Sequence, residues 1–76
     1  MDIKEATMCE LRKVSDLSNG VCTPCEMQHV IDAIIHNVVC EYNFTSIMSE
    51  EGVATFVQHF AQEHFTEYFD IVEDQL

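Results

Sequence analysis

The chain has 76 residues, 47% of them apolar, with a formal net charge of −11 and a pI near 4.3. A chain of this length supports one small domain that buries only about 60% of the surface its unfolded form exposes, and its apolar content is that of a folded domain rather than a disordered one. The acidity disfavours direct binding of nucleic acid, because such a surface repels phosphate. No apolar run is long enough to cross a bilayer, since the richest, residues 30–40, is broken by Asp32, His36 and Asn37.

Charges at Asp2, Lys4, Glu5, Glu10, Arg12, Lys13 and Asp16 interrupt the first twenty residues, so they do not read as a secretory signal, and a cytoplasmic location is expected. In that setting Cys9, Cys22, Cys25 and Cys40 are expected as free thiols.

Residues 2–18 predict a first helix, with Ile3, Ala6, Leu11, Val14 and Leu17 on one side at 3.6-residue spacing and Glu10 anomalously inside that stripe. Ser18-Asn19-Gly20 supplies a stop, because Gly readily takes the left-handed conformation that ends helices. Thr23-Pro24-Cys25-Glu26 then matches a capping box with proline at the first helical position. The second helix should run over 24–42, with Met27, Val30, Ile31, Ile34, Ile35, Val38, Val39 and Tyr42 as its apolar face. Ser49, followed by Glu50 and Glu51, reads as the N-cap and acidic first turn of a third helix over 50–74, with Ser46 as an alternative cap. Its apolar positions, Val53, Phe56, Val57, Phe60, Ala61, His64, Phe65, Tyr68, Ile71 and Val72, cover more than half the circumference. No segment alternates with period two. The expectation is therefore an all-α three-helix bundle, one domain over 1–76, dimerising through helices 2 and 3. The second apolar face of the third helix, Phe65, Phe69, Val72 and Leu76, is the expected dimer contact.

Charge is distributed very unevenly. Lys4, Arg12 and Lys13 are the only basic residues and lie within the first 13 positions, where Asp2, Glu5 and Glu10 balance them. Those three account for only part of the 14 acids, so the remaining 11 follow Lys13 without one Lys or Arg among them. An ordinary exposed helix mixes signs, because Glu and Lys four apart stabilise it by about 0.2–0.5 kcal/mol per pair and like charges cost a similar amount. On an uninterrupted third helix Glu63, Glu67, Asp70 and Asp74 would form one row with Glu73 and His59 beside it. Neighbours in that row would sit roughly 5–6 Å apart, comparable to phosphates along a nucleic-acid strand. Acids at the C-terminal end of a helix also oppose its macrodipole, a cost that solubility alone does not require. The competing interpretation is a merely solvated helix face.

Other constellations are weaker. Cys22-Thr23-Pro24-Cys25 has the spacing of a redox motif at a helix start but lacks the preceding strand. Cys22, Cys25, His36 and Cys40 match a zinc pattern, yet Cys25 and His36 on one helix lie about 16 Å apart along its axis. Cys25, His29, Asp32, His36 and Cys40 share the polar side of the second helix. Residues 52–69, with His64-x-x-Glu67, resemble the metal-carrying helix of ferritin-like proteins, in which the order is Glu-x-x-His. That resemblance covers under a quarter of the chain and implies a metal-binding bundle; with the polar side of the second helix it makes the alternative a metal-binding helical oligomer using His29, His36, His64 and Glu67. With only Gly20 and Gly52, no phosphate loop is present, nor any hydrolase nucleophile motif, and no cofactor is expected.

The expected function is thus a non-enzymatic inhibitor or regulator. It would present Glu63, Glu67, Asp70, Glu73 and Asp74, with Glu50 and Glu51, to the basic surface of a nucleic-acid-binding protein in place of phosphates. Small acidic phage proteins directed against host defence, anti-CRISPR proteins among them, are the favoured analogy.

Overall fold

The computed structural model describes residues 2–73. Three helices pack against one another in a small all-α bundle: α1 (Ile3–Leu17), α2 (Pro24–Glu41) and α3 (Glu50–Tyr68). Two short strands, β1 (Val21–Cys22) and β2 (Asp70–Ile71), pair in parallel, and a 3₁₀ turn spans Phe44–Ser46.

Each helix start has a local cause. The Asp2 carboxylate accepts from the Glu5 amide at 2.9 Å, and the Ser49 hydroxyl accepts from the Gly52 amide at 3.0 Å. At Thr23 the full reciprocal box forms: the Glu26 amide donates to Thr23 Oγ1 at 3.3 Å, and the Thr23 amide donates to Glu26 Oε1 at 3.1 Å. Ser46 belongs to the 3₁₀ turn and caps nothing in α3.

The core is shared by all three helices: Ala6 and Leu11 from α1, Ile31, Ile34 and Val38 from α2, Val53, Val57, Ala61 and Phe65 from α3. Cys22 and Phe69 close its end. One expectation for α1 is corrected and one anomaly accounted for. Leu17 is 85% exposed, because it sits on the last residue of the helix and leaves the packed interface. Glu10, conversely, is buried between helices.

The third helix also ends earlier than its apolar spacing implies. It stops at Tyr68, and Phe69 turns into extended backbone at φ −132° and ψ 140°. Long-range hydrogen bonds explain this. The Ser15 hydroxyl donates to the Tyr68 carbonyl at 2.6 Å, the Asp70 amide to the Gly20 carbonyl at 2.7 Å, and the Val72 amide to the Cys22 carbonyl at 2.9 Å. Asn19 (φ 58°) and Gly20 (φ 73°) turn the chain so that β1 can offer those carbonyls. Once the chain leaves the helix, Phe69 folds back onto Phe65, with ring centroids 4.4 Å apart. Phe65 and Phe69 are therefore core residues, not the expected dimer contact, while Val72 is 42% exposed and Leu76 lies outside the described residues.

Candidate functional site: an anionic surface with one buried carboxylate

Every described acid after Lys13 is exposed: Asp16, Glu26, Asp32, Glu41, Glu50, Glu51, Glu63, Glu67, Asp70 and Glu73. Among the described residues two ion pairs form, Lys13–Glu10 and His64–Glu67. No Lys or Arg thus neutralises any of these exposed carboxylates. Glu50 and Glu51 have a structural reason for their charge, since they occupy the first turn of α3, where the helix dipole favours anions. Glu26 likewise serves the α2 cap, and the hydrogen bonds from Thr23 hold its carboxyl below the usual range. Glu63 sits near the C-terminal end of α3 with no such local role.

The anticipated acidic row is broken. Glu63 and Glu67 share a side of α3, but Asp70 lies on β2 and Glu73 beyond it, because the helix ends at Tyr68; Asp74 lies outside the described residues. The four carboxylates therefore do not form one helical stripe. Glu63, Glu67, Asp70 and Glu73 are all exposed.

Beside Glu63 and Glu67 runs a set of stacked rings. Phe56 and Phe60 have centroids 5.8 Å apart, and the His64 imidazole lies 4.3 Å from Phe60. His64 Nδ1 is hydrogen-bonded to the Glu67 carboxylate, and its side chain is 33% exposed. The imidazole is thus a surface-facing group held by Phe60 and Glu67 rather than a core histidine.

The proposed metal ligands do not assemble. Among the described residues no three His, Cys, Asp or Glu side chains converge. His64 meets Glu67, and the Cys40 sulfur lies 3.8 Å from both ring nitrogens of His36, while His29 joins neither pair. The unbroken α2 keeps Cys25 and His36 apart, and Cys22 is buried with its thiol donating to the Thr23 carbonyl at 3.3 Å. Burial, with the charge of Glu26 nearby, pushes that thiol's pKa up. A recess of about 200 Å³ is lined by Glu5, Met8, Cys9 and Arg12, all from α1, so no second element supplies converging groups.

The most elaborate polar cluster was visible in the sequence only as an anomaly. Glu10 is 2% exposed, yet its carboxylate accepts from Tyr42 Oη, Asn37 Nδ2 and Lys13 Nζ, each at 3.1 Å. Burial raises the Tyr42 pKa, and its hydrogen bond to Glu10 raises it further. The Glu10 bond also raises the pKa of Lys13. All donors come from α1 and the C-terminal end of α2, and among the described residues no buried side-chain N or O lacks a hydrogen bond. This cluster joins two helices around a carboxylate that is 2% exposed, which makes it structural.

Comparison with protein-family models, curated proteins and solved structures finds no match. Among the described residues no helix is long and apolar enough to cross a membrane.

Proposed function

We propose that the protein is a non-enzymatic inhibitor or regulator whose α2 and α3 surface docks on the basic surface of a nucleic-acid-binding protein, with carboxylates occupying positions that phosphates would take. The observation that supports this most is the exposure of all the described acids beyond Lys13, without a single Lys or Arg to offset them. Solubility needs far less, and mixed signs would stabilise both helices better. A concentrated anionic surface accelerates encounter with a cationic partner, and matched potentials set its register. Anti-CRISPR proteins and other small acidic phage inhibitors remain the analogy for such an activity, and the basic groove of a nuclease or transcription factor is the kind of target it implies.

The test is affinity capture from cell lysate with the wild-type protein and with Glu63→Lys/Glu67→Lys/Asp70→Lys. Nucleic-acid-binding proteins retained by the first and lost by the second, with circular dichroism unchanged, are the expected result. Equal retention by both ends the proposal.

The metal-binding alternative keeps one observation in its favour, the two-ligand pairs His36–Cys40 and His64–Glu67. Two ligands do not complete a zinc or iron site, so a second copy would have to supply the rest. Elemental analysis of untagged protein decides it, with stoichiometric metal as the supporting result.

A further inference from the structure

We infer that the side of α3 formed by Phe56, Phe60, Glu63 and Glu67 is a docking stripe for a basic amphipathic helix of the partner, the apolar side of that helix covering the two rings and its Lys or Arg residues meeting the two carboxylates. The inference rests on the proposed function and specifies where and how that docking occurs. At about 100° per residue these four positions fall within about 60° of the helix circumference. They span roughly 16 Å along it, with the rings in the N-terminal half and the acids in the C-terminal half.

Phe60 carries the inference. Phe56 packs against the core, as do Val53, Val57, Ala61 and Phe65 within it, but Phe60 is not among the residues packed there. Its aromatic neighbours are Phe56 on one side and His64 on the other, both from its own helix. A half-buried Phe outside the core-packed set leaves apolar surface in water next to Glu63 and Glu67, which are exposed and have no Lys or Arg paired with them. An apolar anchor bordered by charge is the usual composition of a docking surface, with aromatics at its centre and polar groups at its rim.

Charge complementarity selects the occupant. A second copy of this chain would bring another net charge of −11 and set its own Glu63 and Glu67 against the same stripe. A neutral apolar helix would cover the rings but leave both carboxylates facing uncharged surface. A helix with apolar residues on one side and Lys or Arg at its edge satisfies both halves, in the helix-on-groove manner in which amphipathic segments are recognised.

The test uses two synthetic peptides of identical Leu, Ala, Lys and Arg composition, one ordered as an amphipathic helix and one permuted to destroy that order. Titrated with the full-length protein by fluorescence anisotropy, the ordered peptide should bind at least about tenfold more tightly, and Phe60→Ser should remove most of that difference. Because Phe60 lies outside the core, the variant should keep the wild-type circular dichroism. Glu63→Lys/Glu67→Lys, altering exposed residues only, should weaken the ordered peptide at least as much and serves as the second variant. Equal binding of the two peptides, or no binding of either, overturns the inference. So does a Phe60→Ser variant that binds like wild type, or one that merely converts a dimer to a monomer in sedimentation. Loss of both peptides on reversing Glu26, Asp32 and Glu41, with α3 variants unaffected, sinks the stripe but leaves the acidic-surface reading standing. Peptide binding insensitive to any acid reversal rejects both.

Discussion

Removing one hydroxyl at Tyr42 should measurably loosen the whole domain. The Tyr42 phenol donates to a Glu10 carboxylate that is 2% exposed, alongside Asn37 and Lys13. A hydrogen bond to a charged group contributes about 1.5–3 kcal/mol, and the carboxylate would keep two of its three donors, so Tyr42→Phe should cost about 1.5–2 kcal/mol. Near the unfolding midpoint a domain of this size shifts by about 4–8 °C per kcal/mol, which places the loss at about 6–16 °C in Tm. That is a large share of a total stability of about 4–11 kcal/mol for a chain this long. Glu10→Ala should be worse than Tyr42→Phe, because the part-buried Tyr42 hydroxyl and Asn37 amide both lose their acceptor and a hole remains. Thermal and urea unfolding followed by circular dichroism, with a double-mutant cycle of Tyr42→Phe and Glu10→Gln, separates the pair from general packing. A Tm change below about 2 °C for Tyr42→Phe, on the same scale, would show that the buried carboxylate does not hold α1 to α2.

Three further outcomes are expected. The raised pKa values of Tyr42 and Lys13 mean that their contribution is complete below the unfolded values near 10 and is lost as pH rises through the folded ones. Alkaline titration of Tm should therefore fall more steeply for wild type than for Tyr42→Phe, and parallel curves would contradict the linkage. The lowered pKa of Glu26 has the opposite sign: the cap's charge-dependent stability is present above the unfolded carboxyl pKa and lost as pH falls through the folded value. Glu26→Gln, which can still complete the box, should lack that acidic decline relative to wild type, as read by the difference in helix content between neutral and acidic pH. Finally, Cys22 is buried with a raised pKa whereas Cys40 is exposed, so iodoacetamide should label Cys40 in the folded protein and Cys22 only after unfolding. Equal labelling rates would place Cys22 outside the core.

The features legible in the sequence are those with local causes. The Thr23–Glu26 box and the Ser49 cap lie within three residues of the amides they serve, and both form as the spacing implies. The apolar faces of α2 and α3 likewise follow from the 3.6-residue period, and the exposed acids from the absence of any cation beyond Lys13. What was not legible depends on distant chain. Ile71 and Val72 continue the helical spacing of α3, and no Gly or Pro precedes them to mark a stop. Only the carbonyls of Gly20 and Cys22, brought close by the fold, draw Asp70 and Val72 out of the helix. That one event breaks the expected row of Glu63, Glu67, Asp70 and Asp74 and turns Phe69 into the core. Glu10 shows the same limit: its place in an apolar stripe was visible, but Asn37 and Tyr42, which make that place tenable, lie 27 and 32 residues away.

On the proposed function, the anionic surface takes the place of nucleic acid on a basic protein. Its most direct test is a competition titration: a nucleic-acid-binding protein captured by the wild-type chain is bound to its labelled nucleic acid, and the acidic protein is added at about 50 and about 200 mM salt. Stoichiometric displacement of the nucleic acid, weaker at the higher salt and absent with Glu63→Lys/Glu67→Lys/Asp70→Lys, is the expected result. A stable ternary complex, with the nucleic acid still bound, would contradict it.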